Sequence, residues 1–259
     1  NTVRNITASA TAGVDKKEVF DVSSYAYEAY RFLLRNPICQ DMGRKIKLAY
    51  SSSEEDTAFT FFHDFGFIPR LLDGERGFKV FVGGGLGAQA ILAQTAFEFL
   101  HEDQMMPFLE AGLRVFDRYG ERTRRNKARM KYLIKDIGAE KFLELVEEER
   151  KTLKTKSFKV DRNAIVSGEA PAQVEAPQVV IDNEQDYQDW LKTNVFEQKQ
   201  EGFFGVYLKI TNGDVKTPEA YRIAAMVEKY ASDDMRCTMN QGMLIKFVRP
   251  EYLPYVYSE

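Results

Sequence analysis

Gly77-Phe78-Lys79-Val80-Phe81-Val82-Gly83-Gly84-Gly85-Leu86-Gly87-Ala88 is the stretch on which the fold turns. An apolar, strand-favouring run delivers the chain into a glycine loop, and Gly83-x-Gly85-x-x-Ala88 meets the letter of the dinucleotide-binding fingerprint. Glycines there let backbone N–H groups approach an anion with no side chain in the way. A dinucleotide site also wants an acidic residue about 20 positions on, at the end of a second parallel strand. Glu102 and Asp103 stand at that distance, but Phe97-Glu98-Phe99-Leu100-His101 reads as helix. The stretch therefore predicts either a tight strand-to-helix turn or close backbone approach to some other flat or anionic group.

Upstream, Asp73-Gly74 is a turn signal that joins this strand to the aromatic run Phe59 to Leu72. Ser51 to Thr57 carries Glu54, Glu55 and Asp56 and reads as a helix start or an acidic turn. Before it lies Gly43-Arg44-Lys45-Ile46-Lys47-Leu48-Ala49-Tyr50-Ser51, a strand-forming run holding three cations. Side chains alternate across a strand, so Lys45 and Lys47 share one face, about 7 Å apart, and Ile46, Leu48 and Tyr50 share the other. By pattern alone this is a half-buried strand with its polar face in water. A helix is expected over Tyr25 to Leu34, capped from Asp21 to Ser24 and stopped by Asn36-Pro37. Residues 1 to 24 read as loop with one short strand.

Downstream of Gln89 an amphipathic pattern runs to about Leu153, with breaks at Pro107, Gly120 and Gly138. From Arg114 to Lys135 nine basic residues face two acidic ones, and a continuous helix would line Arg118, Arg122, Arg125 and Arg129 along one side. Such a stripe is either a solvated basic face or a site for a polyanion. Stacking aromatics are not interleaved there, which argues against nucleic acid. Residues 154 to 180, with Gly168, Pro171 and Pro177, read as a linker. Beyond it come a helix at Trp190, a strand over Phe203 to Ile210, a turn at Asn212-Gly213, a helix from Pro218 to Ser232 and strands within Met235 to Val248. The expected organisation is α+β, with domains at 1–153 and 181–259.

Composition excludes several classes. A chain of 259 residues with net charge -3 can bury a core without disulfides. Cys39 and Cys237 make neither a disulfide framework nor a metal spacing, so no metal ligands are assigned and a cytoplasmic setting is the default. No run is long enough for a membrane span. His63 and His101 lack zinc-site spacing, and neither Gly-x-Ser-x-Gly nor a phosphate-binding Gly-Lys-Ser/Thr loop occurs. The chain opens at Asn1 without Met, and the expectation is a piece of a longer polypeptide.

Taken together, Val3-Arg4-Asn5-Ile6-Thr7, Arg44-Lys45-Ile46-Lys47, Gly77 to Leu86 and the basic run Arg124 to Leu133 resemble the siroheme-containing sulfite and nitrite reductases. Gly202 to Leu208 and Met235-Arg236-Cys237-Thr238-Met239-Asn240-Gln241 resemble the ferredoxin-like half-domain of that family. The resemblance implies a catalytic repeat followed by that half-domain, in an enzyme that reduces sulfite or nitrite at a siroheme coupled to a 4Fe-4S cluster. Carried over, Arg4, Lys45 and Lys47 are the anion-holding catalytic cations, and Asn5, Arg44, Gly83, Gly84 and Gly85 contact the cofactor. Arg236, Asn240 and Gln241 fall at the pseudo-symmetric counterpart of that site, where a structural role is implied. The family holds its cluster with Cys-x5-Cys and Cys-x3-Cys, and neither pattern is in this sequence. The cluster ligands are thus expected in the remainder of the same polypeptide, with this segment inactive alone. Ferredoxin or a flavoprotein is implied as electron donor, with no membrane or nucleic-acid partner. The competing reading is a non-catalytic α+β module that binds a nucleotide or an acidic partner.

Overall fold

The computed structural model describes residues 2–166 and 168–259. The chain divides into two compact units, Asn1–Ala12 with Glu18–Val166 and Gly13–Lys17 with Ser167–Glu259.

The first unit is built on a five-stranded sheet of order β1-β2-β3-β4-β5: β1 (Val3–Ala8), β2 (Ile46–Tyr50), β3 (Phe65–Leu72), β4 (Glu75–Val82) and β5 (Gln94–His101). β1, β2 and β3 run parallel, whereas β3, β4 and β5 are successively antiparallel. The Asp73-Gly74 turn makes the β3–β4 hairpin, with Leu72 opposite Glu75. Four helices accompany the sheet: α1 (Ser23–Leu34), α2 (Met105–Tyr119), α3 (Met130–Ile137) and α4 (Ala139–Thr152). Alternation along β2 works as the sequence requires, because Ile46, Leu48 and Tyr50 are fully buried in the core while Lys47 is only half-buried. Tyr50 stacks on Phe67 at 4.6 Å, and the Phe78 ring meets Tyr25, Tyr50 and Phe67 edge-on at 5.1, 6.0 and 5.8 Å. Each such pair adds about 0.5–1.5 kcal/mol beyond its burial, so this layer clamps three strands and α1 together.

Three sequence expectations are corrected. Residues 94–101, read as the start of a helix, form β5, because Thr95, Phe97 and Leu100 find partners along β4 and pairing overrides helical propensity. A second strand therefore does follow the glycines, but it lies antiparallel to β4, so no dinucleotide-binding crossover forms. The basic run is not one helix. Gly120 ends α2 in an extended conformation (φ -67, ψ 151), and α-helix resumes only at Met130, after a single 3-10 turn over Arg125–Lys127. Pro107 causes no break, since it sits in the first turn of α2, where its missing N–H costs nothing.

The chain after α4 stays on the first unit up to Val166. Phe158 N–H donates to the Asp103 carbonyl at 2.9 Å and its ring packs on Phe32 at 5.4 Å, while Arg162 pairs with Glu102.

The second unit has a four-stranded antiparallel sheet of order β6-β7-β9-β8: β6 (Val195–Glu197), β7 (Phe204–Leu208), β8 (Arg236–Cys237) and β9 (Met243–Val248). Its helices are α5 (Glu184–Asn194), α6 (Thr217–Tyr230) and α7 (Leu253–Ser258). Val206, Ile245 and Val248 from the sheet meet Met226, Val227, Tyr230 and Val256 in one core. The early segment 13–17 belongs here: Lys199 N–H donates to the Val14 carbonyl at 3.0 Å and Lys16 pairs with Glu197.

Candidate functional site

The parallel pairing of β1 with β2 brings the first cations together. Val3 pairs with Ile46 but Asn5 pairs with Lys47, so Arg4 is the extra residue of a bulge. A bulge re-aims the side chain it carries. Here it leaves Asn5 beside Lys47. Arg4 is also the charge that most depresses the Lys45 ammonium below its ordinary value, ahead of partial loss of water, Lys47, Arg129 and Arg44. Among the described residues Arg4, Lys45 and Lys47 make no ion pair. Arg44 is half-buried, and its Nε is shut away from water without a hydrogen-bond partner.

Behind these cations stands Asp64, fully buried at the entry to β3. Its Oδ2 accepts the Lys47 N–H at 2.9 Å, and its own N–H donates to the Lys47 carbonyl at 3.1 Å. The Arg129 Nη2 donates to both carboxylate oxygens, at 3.1 and 2.9 Å. Burial nevertheless pushes the Asp64 carboxyl up to about 6, against the downward pull of Arg129 and the Lys47 N–H. His63 is also buried. Its Nδ1 lies 2.8 Å from the Phe59 carbonyl, and burial foremost, with Lys47 and Arg129, lowers its pKa.

The glycine turn packs against this layer. Gly83 N–H donates to the Asp64 carbonyl and Gly84 N–H to the His63 carbonyl, each at 2.9 Å. Gly83 holds φ +82, and a Cβ at Gly84 would lie 2.3 Å from the Phe61 carbonyl oxygen. Only glycine satisfies either position, and in both cases the demand comes from the chain itself. A Cβ on Gly85 would point at the Lys131 side chain (3.2 Å) and at Arg129 Nη2 (3.4 Å). Lys131 is buried and fastens the loop beyond, its Nζ donating to the carbonyls of Gly85 (3.3 Å), Leu86 (3.1 Å) and Gln89.

Four more arginines of the basic run pair with specific acids. Arg114 pairs with Glu110 and Glu149, Arg118 with Glu149, Arg122 with Asp117 and Arg124 with Glu121. From that run Arg129 reaches the cation cluster, and Arg122 covers Gly43, which precedes Arg44. Sequence reading missed Asp64, and gave Arg129 and Lys131 only as members of the basic run, without individual roles. The available signal was Asp64 itself, a lone carboxylate between His63 and Phe65 in an apolar run.

In the second unit Arg236 and Lys246 both bond Asp234. Asn240 and Gln241 lie in the turn between β8 and β9, with Gln241 at φ 62. His101 is held by Asp103 and Glu75, each at 2.6 Å. Cys39 is buried and Cys237 exposed, and among the described residues no three His, Cys, Asp or Glu side chains converge as a metal site. No helix among the described residues is long and apolar enough to cross a membrane.

The parallel pairing of β1 with β2 thus gathers cations, with one buried carboxylate behind them and the glycine turn packed against it. Comparison with known proteins supplies the lineage. Residues 1–154 match the family described as nitrite and sulphite reductase 4Fe-4S domain, and residues 196–259 match the nitrite/sulfite reductase ferredoxin-like half domain. The chain belongs to this nitrite and sulfite reductase family. It is 26% identical over 262 residues to a chloroplastic ferredoxin–nitrite reductase of Oryza sativa, covering 99% of this chain and 41% of that protein. It is 32% identical over 244 residues to sulfite reductase (ferredoxin) 1 of Mycolicibacterium paratuberculosis, covering 93% of this chain and 39% of that protein. The solved structure of the Mycobacterium tuberculosis NirA protein superposes with a TM-score of 0.73 at 28% identity, over 96% of this chain and 42% of that one. The chain thus spans about two fifths of the length of these relatives.

Proposed function

We propose that this chain supplies the anion-holding part of a sulfite or nitrite reductase that works with a siroheme coupled to a 4Fe-4S cluster. Arg4, Lys45 and Lys47 hold the oxyanion, and Asn5 and Arg44 face the cofactor. The observation that carries this reading is the surroundings of Lys45, where the foremost charges acting on it are all cations. Arg4, Arg44, Lys45, Lys47 and Arg129 stay clustered with Asp64 to offset them, and a bound anion relieves their mutual repulsion. At an effective dielectric of 20, a cation about 4 Å from a unit anion contributes up to roughly 4 kcal/mol before desolvation. A lowered ammonium pKa also makes Lys45 a readier proton donor as oxygen leaves as water.

The residues present fit a carboxylate-rich macrocycle. The Nε atoms of Arg44 and Arg129 are buried and without partners, and guanidinium is the side chain suited to carboxylates. Siroheme and its cluster, when bound, would pass electrons from the donor to the anion. The glycine turn Gly83-Gly84-Gly85 acts as a positioning element, since the chain's own carbonyls and Ile134 occupy the space beside Gly83 and Gly84. Cluster cysteines belong to the remainder of the polypeptide, so the isolated segment is inactive. Ferredoxin is the electron donor favoured by the names of the relatives, and the setting is a cytoplasmic one.

The test is made in the full-length protein. Lys45→Ala and Lys47→Ala each lower kcat/KM for anion reduction by about 100-fold, the equivalent of about 2.7 kcal/mol, with siroheme absorption retained. Unchanged turnover would overturn the assignment.

A further inference from the structure

We infer that Asp64 is the positioning residue of the cationic site: it locks the Lys47 backbone and the Arg129 guanidinium into one arrangement and thereby sets the spacing of the cations around Lys45. The inference rests on the function proposed above. Its basis is connectivity. Through five hydrogen bonds this one residue joins three segments far apart in sequence: the entry to β2 at Lys47, the glycine turn at Gly83, and Arg129, the cap residue of α3.

A neutral amide, with one acceptor oxygen, would keep the Lys47 N–H but lose one of the two bonds to Arg129 and the charge that draws it. Both carboxylate oxygens are used, because Oδ1 and Oδ2 each accept from Arg129 while Oδ2 also takes the Lys47 N–H. Burying a carboxylate completely is expensive, and a single cation with good geometry must compensate it. Strand alternation fixes only that Lys45 and Lys47 share a face. It does not fix how far Arg129, which arrives from a different segment, stands from them. Asp64 makes that connection, and Gly85 leaves the room beside Arg129 Nη2 in which it is made.

The deciding measurement is the ammonium titration of Lys45 by NMR in the full-length protein, assigned by its loss in Lys45→Arg. Two variants are compared, Asp64→Asn and Asp64→Glu, with the fold checked by circular dichroism. If Asp64 positions the cluster, both variants let the cations spread, and the Lys45 pKa rises toward the ordinary lysine value. If Asp64 acts only as a charge, Asp64→Asn lowers the Lys45 pKa further and Asp64→Glu leaves it unchanged, and either result overturns the inference. Where Asp64→Asn does not fold, Asp64→Glu decides alone. Anion turnover does not enter this readout. Unchanged turnover in Lys45→Ala would remove the proposed function while leaving the titration result standing.

Discussion

Asp64 in the first unit and Asp234 in the second each sit in a cluster of cations, yet their carboxyls are displaced in opposite directions. Asp64 is fully buried and takes one guanidinium, and burial prevails: its pKa rises to about 6. Asp234 is also penalised by burial, but it keeps 34% of its side chain in water and bonds both Lys246 and Arg236, which together hold it below the ordinary carboxylate value. In the second unit the cations share an acid. In the first, Asp64 is committed to Arg129, and Arg4, Lys45 and Lys47 make no ion pair among the described residues. A count of basic residues does not separate the two clusters. How the charge is neutralised does, and in the first it is the feature on which the proposed anion site rests.

The contrast is broken most directly by pH. Asp64 binds its proton more tightly folded than unfolded, so the stability it lends is fully present below pH 3.8 and is lost as pH rises through about 6. Chemical denaturation of the full-length protein should show a loss on the order of 3 kcal/mol across that window, and Asp64→Asn should flatten it. Asp234 carries the opposite sign: its contribution is present above the ordinary carboxylate value and fades as pH falls through its lowered one. A difference curve for Asp234→Asn with the same slope as Asp64→Asn would refute the comparison.

The next effect concerns two lysines. Lys246 is fully buried against Asp234, so Lys246→Met should cost about 2 kcal/mol, less than a fully buried pair because Asp234 is partly exposed. Lys45→Met removes a cation from among cations and should not lower Tm. Thermal melts of the two variants test this, and a larger loss for Lys45→Met would reverse the reading. The smallest effect is on binding. Because the Lys45 ammonium is lowered below 10.5, sulfite affinity of the full-length protein should fall about tenfold with rising pH, at values below those at which an ordinary lysine titrates. Isothermal titration at several pH values measures it, and an affinity constant up to pH 10.5 would place the anion elsewhere.

Much of the local structure is legible residue by residue. The alternation of Lys45 and Lys47 against Ile46, Leu48 and Tyr50 places the core side of β2, Asp73-Gly74 closes the β3–β4 hairpin, and Asn36-Pro37 follows the end of α1. The order of the motifs also carries the family. These features depend on neighbours a few positions apart, where side-chain period and turn chemistry act directly. Gln94 to His101 was illegible because its apolar spacing suits a helix as well as a strand, and only β4 beside it settles the choice. Three features belong to tertiary structure alone: the bulge at Arg4, the capture of Arg129 by Asp64, and the pairing of Arg114 and Arg118 with the distant Glu149. Each joins residues whose separation along the chain carries no periodic signal. The sequence by itself thus determined which residues could be cations on a strand face, and the packing of distant segments decided which charges found an acid partner and which did not.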